Sequence, residues 1–191
     1  MDSSFRAETV AGAGRGALII ACAGAGWLGW GLGEANAFNA VVGPAFGCMA
    51  LILWVWSIYT IRKGRMLSKQ FPPVSPSTRR AVRRSFLFVV LIEVLALVFA
   101  FILANRLHRP DLWADWLSMV VGLHYLPLAK IFRAPILGIF GILITLWCVL
   151  CWVLFRSNAL VISATLGTGI LLWATSVSAL LRARKIAHSL P

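Results

Sequence analysis

Glu93 and His124 stand where ionisable side chains are least at home. Glu93 interrupts the apolar run 86–104, FLFVVLIEVLALVFAFILA. His124 interrupts the run 112–132, within MVVGLHYLPLAKIF, which also carries Tyr125 and Pro127. Runs of this kind are long enough to cross ~30 Å of hydrocarbon, where a carboxylate or an imidazole needs a partner or a function. An acid beside an imidazole can form an ion pair or share a proton, which lessens the burial penalty of both. Pro127 adds an acceptor next to them, because its missing N–H leaves the carbonyl of Leu123 without the usual helical donor. These four residues are the predicted proton- or ligand-binding site. The simpler reading is a hydrogen-bonded pair that fixes the register of two helices.

A second concentration of polar residues follows Ala104: Arg106, His108, Arg109, Asp111 and Asp115, flanked by Trp113 and Trp116. At headgroup level such a set could handle a lipid or a lipid-linked phosphate. It could equally be a solvated turn in which Asp111 caps the next helix. No Walker, G-x-S-x-G, H-E-x-x-H or kinase signature accompanies it, so no catalytic residue is assigned and the balance leans against an enzyme. Cys148 and Cys151 form C-x-x-C, a redox signal at a helix start, but here they lie inside a continuous apolar run, where thiols behave as small hydrophobes. Of the three histidines only His124 falls at membrane depth, which argues against bis-His haem within one chain. Neither a cofactor nor a metal is expected.

The elements that must position these residues are membrane-length helices. The chain of 191 residues is 60% apolar and only 13% charged, with a mean hydropathy of +0.87, whereas soluble domains carry about 25% charge. Its apolar residues fall into six blocks, 17–33, 40–61, 86–104, 112–132, 136–155 and 159–181, joined by short polar segments and one long basic loop, 62–85. The prediction is an all-α integral membrane bundle of six transmembrane helices forming a single domain over 1–191. The lead before 17–33, with Arg6 and Arg15, also suits a signal peptide, but the run is long enough to span and is expected to be retained.

The basic residues orient this bundle. With both termini cytoplasmic, 15 of the 18 lysines and arginines lie inside and only Arg106, Arg109 and Arg156 outside, as the positive-inside rule requires. Trp30, Trp113, Trp116 and Trp152 then fall near the outer boundary. The net charge of +12 therefore reflects topology, and nucleic-acid binding is not expected. In the 62–85 loop, Pro72, Pro73 and Pro76 break the helix and Ser77 or Thr78 can cap the next one. Arg79, Arg80, Arg83 and Arg84 then crowd its first turn, where they could grip anionic headgroups. Under this orientation Glu93 and His124 lie ~12 and ~9 Å from the inner boundary, at 1.5 Å per residue, so contact between them is available.

Two further patterns concern packing. Ala13, Ala17, Ala21, Ala25, Gly29 and Gly33 recur every four residues, a small-residue stripe for close helix approach, with Gly43 and Gly47 as a possible complement. Ala21, Ala25, Gly29 and Gly33 are its predicted interface, within the bundle or between two copies in a homodimer. Thr165, Thr168, Leu172 and Thr175 share one face of the last span, which is expected to turn inward. The resulting expectation is a small polytopic protein of a bacterial inner membrane, with lipids as partners. It would act in transport, permeation or ligand sensing through a protonatable Glu–His site. A lipid-modifying enzyme working at 105–116 and a purely structural subunit are the alternatives.

Overall fold

A computed structural model describes residues 3–71 and 75–190. Among these the chain is all-α: six helices and no strand. They are α1 (Ser3–Glu34), α2 (Val42–Ser68), α3 (Pro76–Arg106), α4 (Leu112–Ile131), α5 (Pro135–Leu154) and α6 (Ser157–His188). Five of the six, all but α4, are long and apolar enough to cross a membrane. α4 is set apart by Asp115, His124 and Lys130, which dilute its apolar content.

The helices outrun the apolar blocks. α2 continues through Arg62, Lys63 and Arg65 to Ser68, and α3 begins at Pro76, so little of the expected 62–85 loop is loop. Lysine and arginine are good helix formers, and nothing obliges a helix to stop where its hydrocarbon face ends. The cap on α3 is Ser75, whose Oγ accepts from the Thr78 N–H at 3.3 Å. With Pro76 in the first helical position, Ser77 and Thr78 already lie inside the helix. Pro72, Pro73 and the Arg79 side chain lie outside the described residues.

The fold divides into two compact units, one formed by the described parts of 1–25, 39–79 and 172–191, the other by 26–38 and 80–171. In the first unit, α1 and α2 meet through small residues. A Cβ on Gly14 would lie 2.9 Å from the Ile61 backbone nitrogen, and Gly64 is pressed against the backbone of Ala11. α6 is tied to α1 by side chains that seek backbone acceptors. The Trp173 Nε1–H donates to the Ala21 carbonyl at 3.1 Å and the Ser176 hydroxyl to the Ala17 carbonyl at 2.9 Å. Each such bond adds about 1 kcal/mol.

The buried stripe of α1 corrects the four-residue pattern. Ala7, Val10, Gly14, Ala17, Ala21, Gly24, Leu28 and Gly31 are buried, a spacing of three and four in alternation. A strict four-residue repeat advances 400° per step and drifts around a 3.6-residue helix. Hence Ala21 is buried, Ala25 and Gly29 are half-buried, and Gly33 is exposed. Gly47 of α2 is exposed too, with nothing within 4 Å of a Cβ placed there. On α2 the buried positions are Ala50, Leu53, Ser57, Thr60 and Gly64, while Leu51, Ile52, Trp54, Val55 and Ile58 are exposed. Small and polar inside, large and apolar outside is the arrangement suited to lipid as solvent.

In the second unit α4 is shielded. α3 runs antiparallel beside it, with Phe86 against Phe132 at one end and Phe101 against Trp113 at the other, ring centroids 6.0 and 4.1 Å apart. α5 crosses it at Gly122 and Gly141, where a Cβ on Gly122 would lie 2.6 Å from the Thr145 hydroxyl. Trp147 of α5 lies flush against Gly167 of α6 and donates its Nε1–H to the Ser163 carbonyl at 3.0 Å. Neighbours on several sides let α4 carry polar residues that a lipid-facing helix could not.

Candidate functional site

α3 presents a narrow inward stripe. Phe86, Val89, Glu93, Ala96 and Leu97 are half-buried and Ala100 and Ala104 buried, at the three-and-four spacing of one helix face. Leu87, Phe88, Leu91, Ile92, Leu95 and Phe99 on the opposite face are exposed. Glu93 therefore faces α4 and not the outer surface. His124 meets it: its Nδ1 stands 3.2 Å from Glu93 Oε2, with side-chain exposures of 9% for the histidine and 20% for the glutamate. The contact lacks the alignment of a hydrogen bond, so Nδ1 is buried without a true acceptor. The pair is close enough to exchange a proton or to close around one, yet is not locked as a linear bond.

Tyr125 is buried beside this pair, within electrostatic reach of Glu93, its ring 6.4 Å from that of His124. Pro127 lies inside α4 one turn beyond Leu123, which is exposed. Of the four residues predicted from sequence, Glu93 and His124 meet across α3 and α4, while the Tyr125 Cβ faces Gly141 of α5.

The polar cluster of 105–116 is not brought together as one group. α3 ends in a turn where His108 takes a left-handed backbone conformation (φ 52°) and the Arg109 N–H reaches back to the Ala104 carbonyl at 3.1 Å, a Schellman closure with histidine where glycine is usual. Arg109 and Asp111 form a two-pronged pair at 2.9 and 2.7 Å. That pairing holds the Asp111 carboxyl below the usual aspartate range and raises the Arg109 guanidinium. It also occupies Asp111, which makes no side-chain cap on α4. Arg106 and His108 are exposed.

Asp115 departs from the cluster altogether. It is fully buried, one helical turn along from Leu112, on the same α4 face as Ser118, Gly122 and Tyr125. Chain neighbours pointed to solvent, but the i, i+3, i+7, i+10 spacing with buried residues points inward. Around it lie the Cys148 and Cys151 thiols, both fully buried and both within electrostatic reach of Asp115. Cys148 in turn lies within reach of the Ser118 and Thr168 hydroxyls. Neither hydroxyl, and neither Asp115 carboxylate oxygen, completes a hydrogen bond with a protein group. Buried polar atoms rarely lack partners, so four in one neighbourhood require an account.

Thr165, Thr168, Leu172 and Thr175 are all buried, as their shared face predicts, and Thr165 satisfies its hydroxyl on the Val161 carbonyl at 2.7 Å. Two surface grooves, one against Leu181, Arg184, Lys185 and His188, the other against Leu143, Leu146, Trp147 and Leu150, adjoin neither the Glu93–His124 pair nor the 105–116 turn. Among the described residues no three His, Cys, Asp or Glu side chains are arranged to hold a metal ion. Comparison with protein-family models, with curated proteins and with solved structures found no match for this chain.

Proposed function

We propose that this chain is a multi-pass protein of a bacterial inner membrane, with both termini cytoplasmic, that couples proton binding at Glu93 and His124 to transport or ligand sensing. The observation that carries the reading is the 3.2 Å approach of His124 Nδ1 to Glu93 Oε2 between two antiparallel helices. Ionisable groups set inside membrane helices and facing one another are what proton relays and coupled transporters use. The incomplete hydrogen bond supports a site that gains and loses a proton over a purely structural latch, which would be expected to be aligned. Tyr125 provides a buried phenol beside the pair, and Lys130 and Arg133 supply positive charge toward the cytoplasmic end.

Purified protein reconstituted in sodium-free vesicles containing an internal pH dye tests this. Under an imposed potassium diffusion potential, the wild type is expected to admit protons and Glu93→Gln to lose at least about tenfold of that rate. Equal rates for the two would overturn the proposal.

A further inference from the structure

The buried neighbourhood of Asp115 is separate from the Glu93–His124 pair, and its chemistry is different. Its unpartnered atoms are all oxygens: both carboxylate oxygens of Asp115, the hydroxyl of Ser118 one turn along α4, and the hydroxyl of Thr168 on α6. All three residues have no exposed surface. The two hydroxyls both approach the Cys148 thiol, and Asp115 is within electrostatic reach of the same thiol. A bare carboxylate in such a place is untenable and must be neutralised. A proton alone would neutralise the carboxylate but would bring no new partner to the Ser118 and Thr168 hydroxyls, which lack one among the protein groups.

We propose that Asp115, Ser118 and Thr168 form an intramembrane binding site for a single small monovalent cation, for which sodium is the probe. Hard oxygen donors select hard cations over the softer transition metals. One carboxylate balances one positive charge, whereas magnesium and calcium sites generally collect more anionic ligands. The titratable groups facing the site from the neighbouring helix are the Cys148 and Cys151 thiols of α5, which remain neutral, so they neither add charge nor compete for the ion. The ion would satisfy the orphaned oxygens and join α4 to α6. This reading does not depend on the Glu93–His124 proposal, and either can fail without the other.

The test is thermal unfolding of the full chain in lipid nanodiscs at constant ionic strength, with sodium chloride exchanged against potassium or choline chloride. Saturable stabilisation by sodium over both is expected, because a ligand that binds only the folded state raises its stability by mass action. Asp115→Asn should abolish the effect. Ser118→Ala and Thr168→Val, which keep the fold nearly isosteric, should each weaken apparent sodium affinity about tenfold, the loss of one oxygen contact to a charge. They keep the proposal testable if Asp115→Asn does not fold. Equal stabilisation by all three salts would overturn it, as would stabilisation that follows only the lowering of pH, meaning that Asp115 holds a proton alone.

Discussion

Gly122 of α4 and Gly141 of α5 face one another so closely that a methyl group on Gly141 would lie 2.7 Å from the Gly122 carbonyl oxygen and 2.8 Å from the Tyr125 Cβ. Both atoms are parts of a helix that cannot step aside singly, so the two helices would have to part. This crossing lies between Asp115 and His124 along α4 and sets the position of both. Gly141→Ala is expected to destabilise by about 1–3 kcal/mol, the usual penalty for overpacking, and to lower the unfolding temperature in nanodiscs. Gly138→Ala, one turn earlier, meets only the Ala129 Cβ at 3.4 Å and should be close to neutral. Equal effects of the two changes would show that the helices do not cross there.

The Glu93–His124 contact predicts different outcomes for different replacements. Glu93→Ala removes the carboxylate facing the imidazole and should cost about 1 kcal/mol, since no aligned hydrogen bond is lost with it. Replacing both residues by leucine should restore much of that stability, because an apolar pair needs no partner. If the pair exists for function, the double variant should unfold like the wild type while proton entry into vesicles stays lost. If it serves only as a register device, proton entry will be the same in all three proteins.

How much of this was legible in the chain depends on which neighbours decide each residue's environment. Glu93 and His124 could be paired from sequence because each is a lone polar residue in an apolar run, and a rise of 1.5 Å per residue puts them at one depth. Asp115 was misplaced because Arg109 and Asp111 precede it in the chain, whereas its surroundings are set by Ser118, Cys148 and Thr168 across three helices. The small-residue stripe of α1 was right in composition and wrong in phase, since a four-residue repeat cannot stay on one face. The C-x-x-C pair lies inside an apolar run, as its sequence shows, but nothing local reveals that Asp115 lies near it. Tertiary proximity of this kind leaves its trace only in helical spacing, here Asp115–Ser118–Gly122–Tyr125.

Arg109 and Asp111 allow a prediction outside the membrane. Their two-pronged hydrogen bond holds the Asp111 pKa below its value in the unfolded chain. A carboxylate whose folded pKa is depressed adds stability that is complete above the usual aspartate range and is lost as the pH falls through the lowered value. Arg109→Gln should bring the Asp111 titration, followed by NMR of its side-chain carboxyl carbon, back up toward the ordinary range. The stability change itself should be small, because both groups reach solvent. A titration unmoved by the substitution would mean that the pair does not persist in solution.

His108 gives a prediction of opposite sign. Its backbone is held at φ 52°, a left-handed conformation that a non-glycine residue occupies at a penalty of ~1 kcal/mol or more. The side chain is exposed, so His108→Gly removes the strain with little loss of packing. The greater freedom of glycine in the unfolded chain offsets part of the gain, which leaves an expected stabilisation below ~1 kcal/mol and a slightly higher unfolding temperature. Loss of activity on removal of this imidazole, with the fold intact, would instead indicate chemistry at the outer turn.

The outward face of α3 tests the membrane reading most directly. Leu91, Leu95 and Phe99 recur at four-residue intervals and are all exposed, while Ala100 and Ala104 on the other side are buried. In water such a surface would be a large uncovered apolar patch; in a bilayer it is the side turned to acyl chains. A nitroxide attached at Leu95→Cys, with Cys22 and Cys48 replaced by alanine, should collide freely with dissolved oxygen, which concentrates in hydrocarbon. It should be shielded from a hydrophilic nickel chelate. A label at Arg80→Cys, in the first turns of the same helix and exposed, should show the reverse preference. If the Leu95 label instead met the chelate as readily as the Arg80 label, α3 would lie outside hydrocarbon, and the case for Glu93 as an intramembrane acid would fall with it.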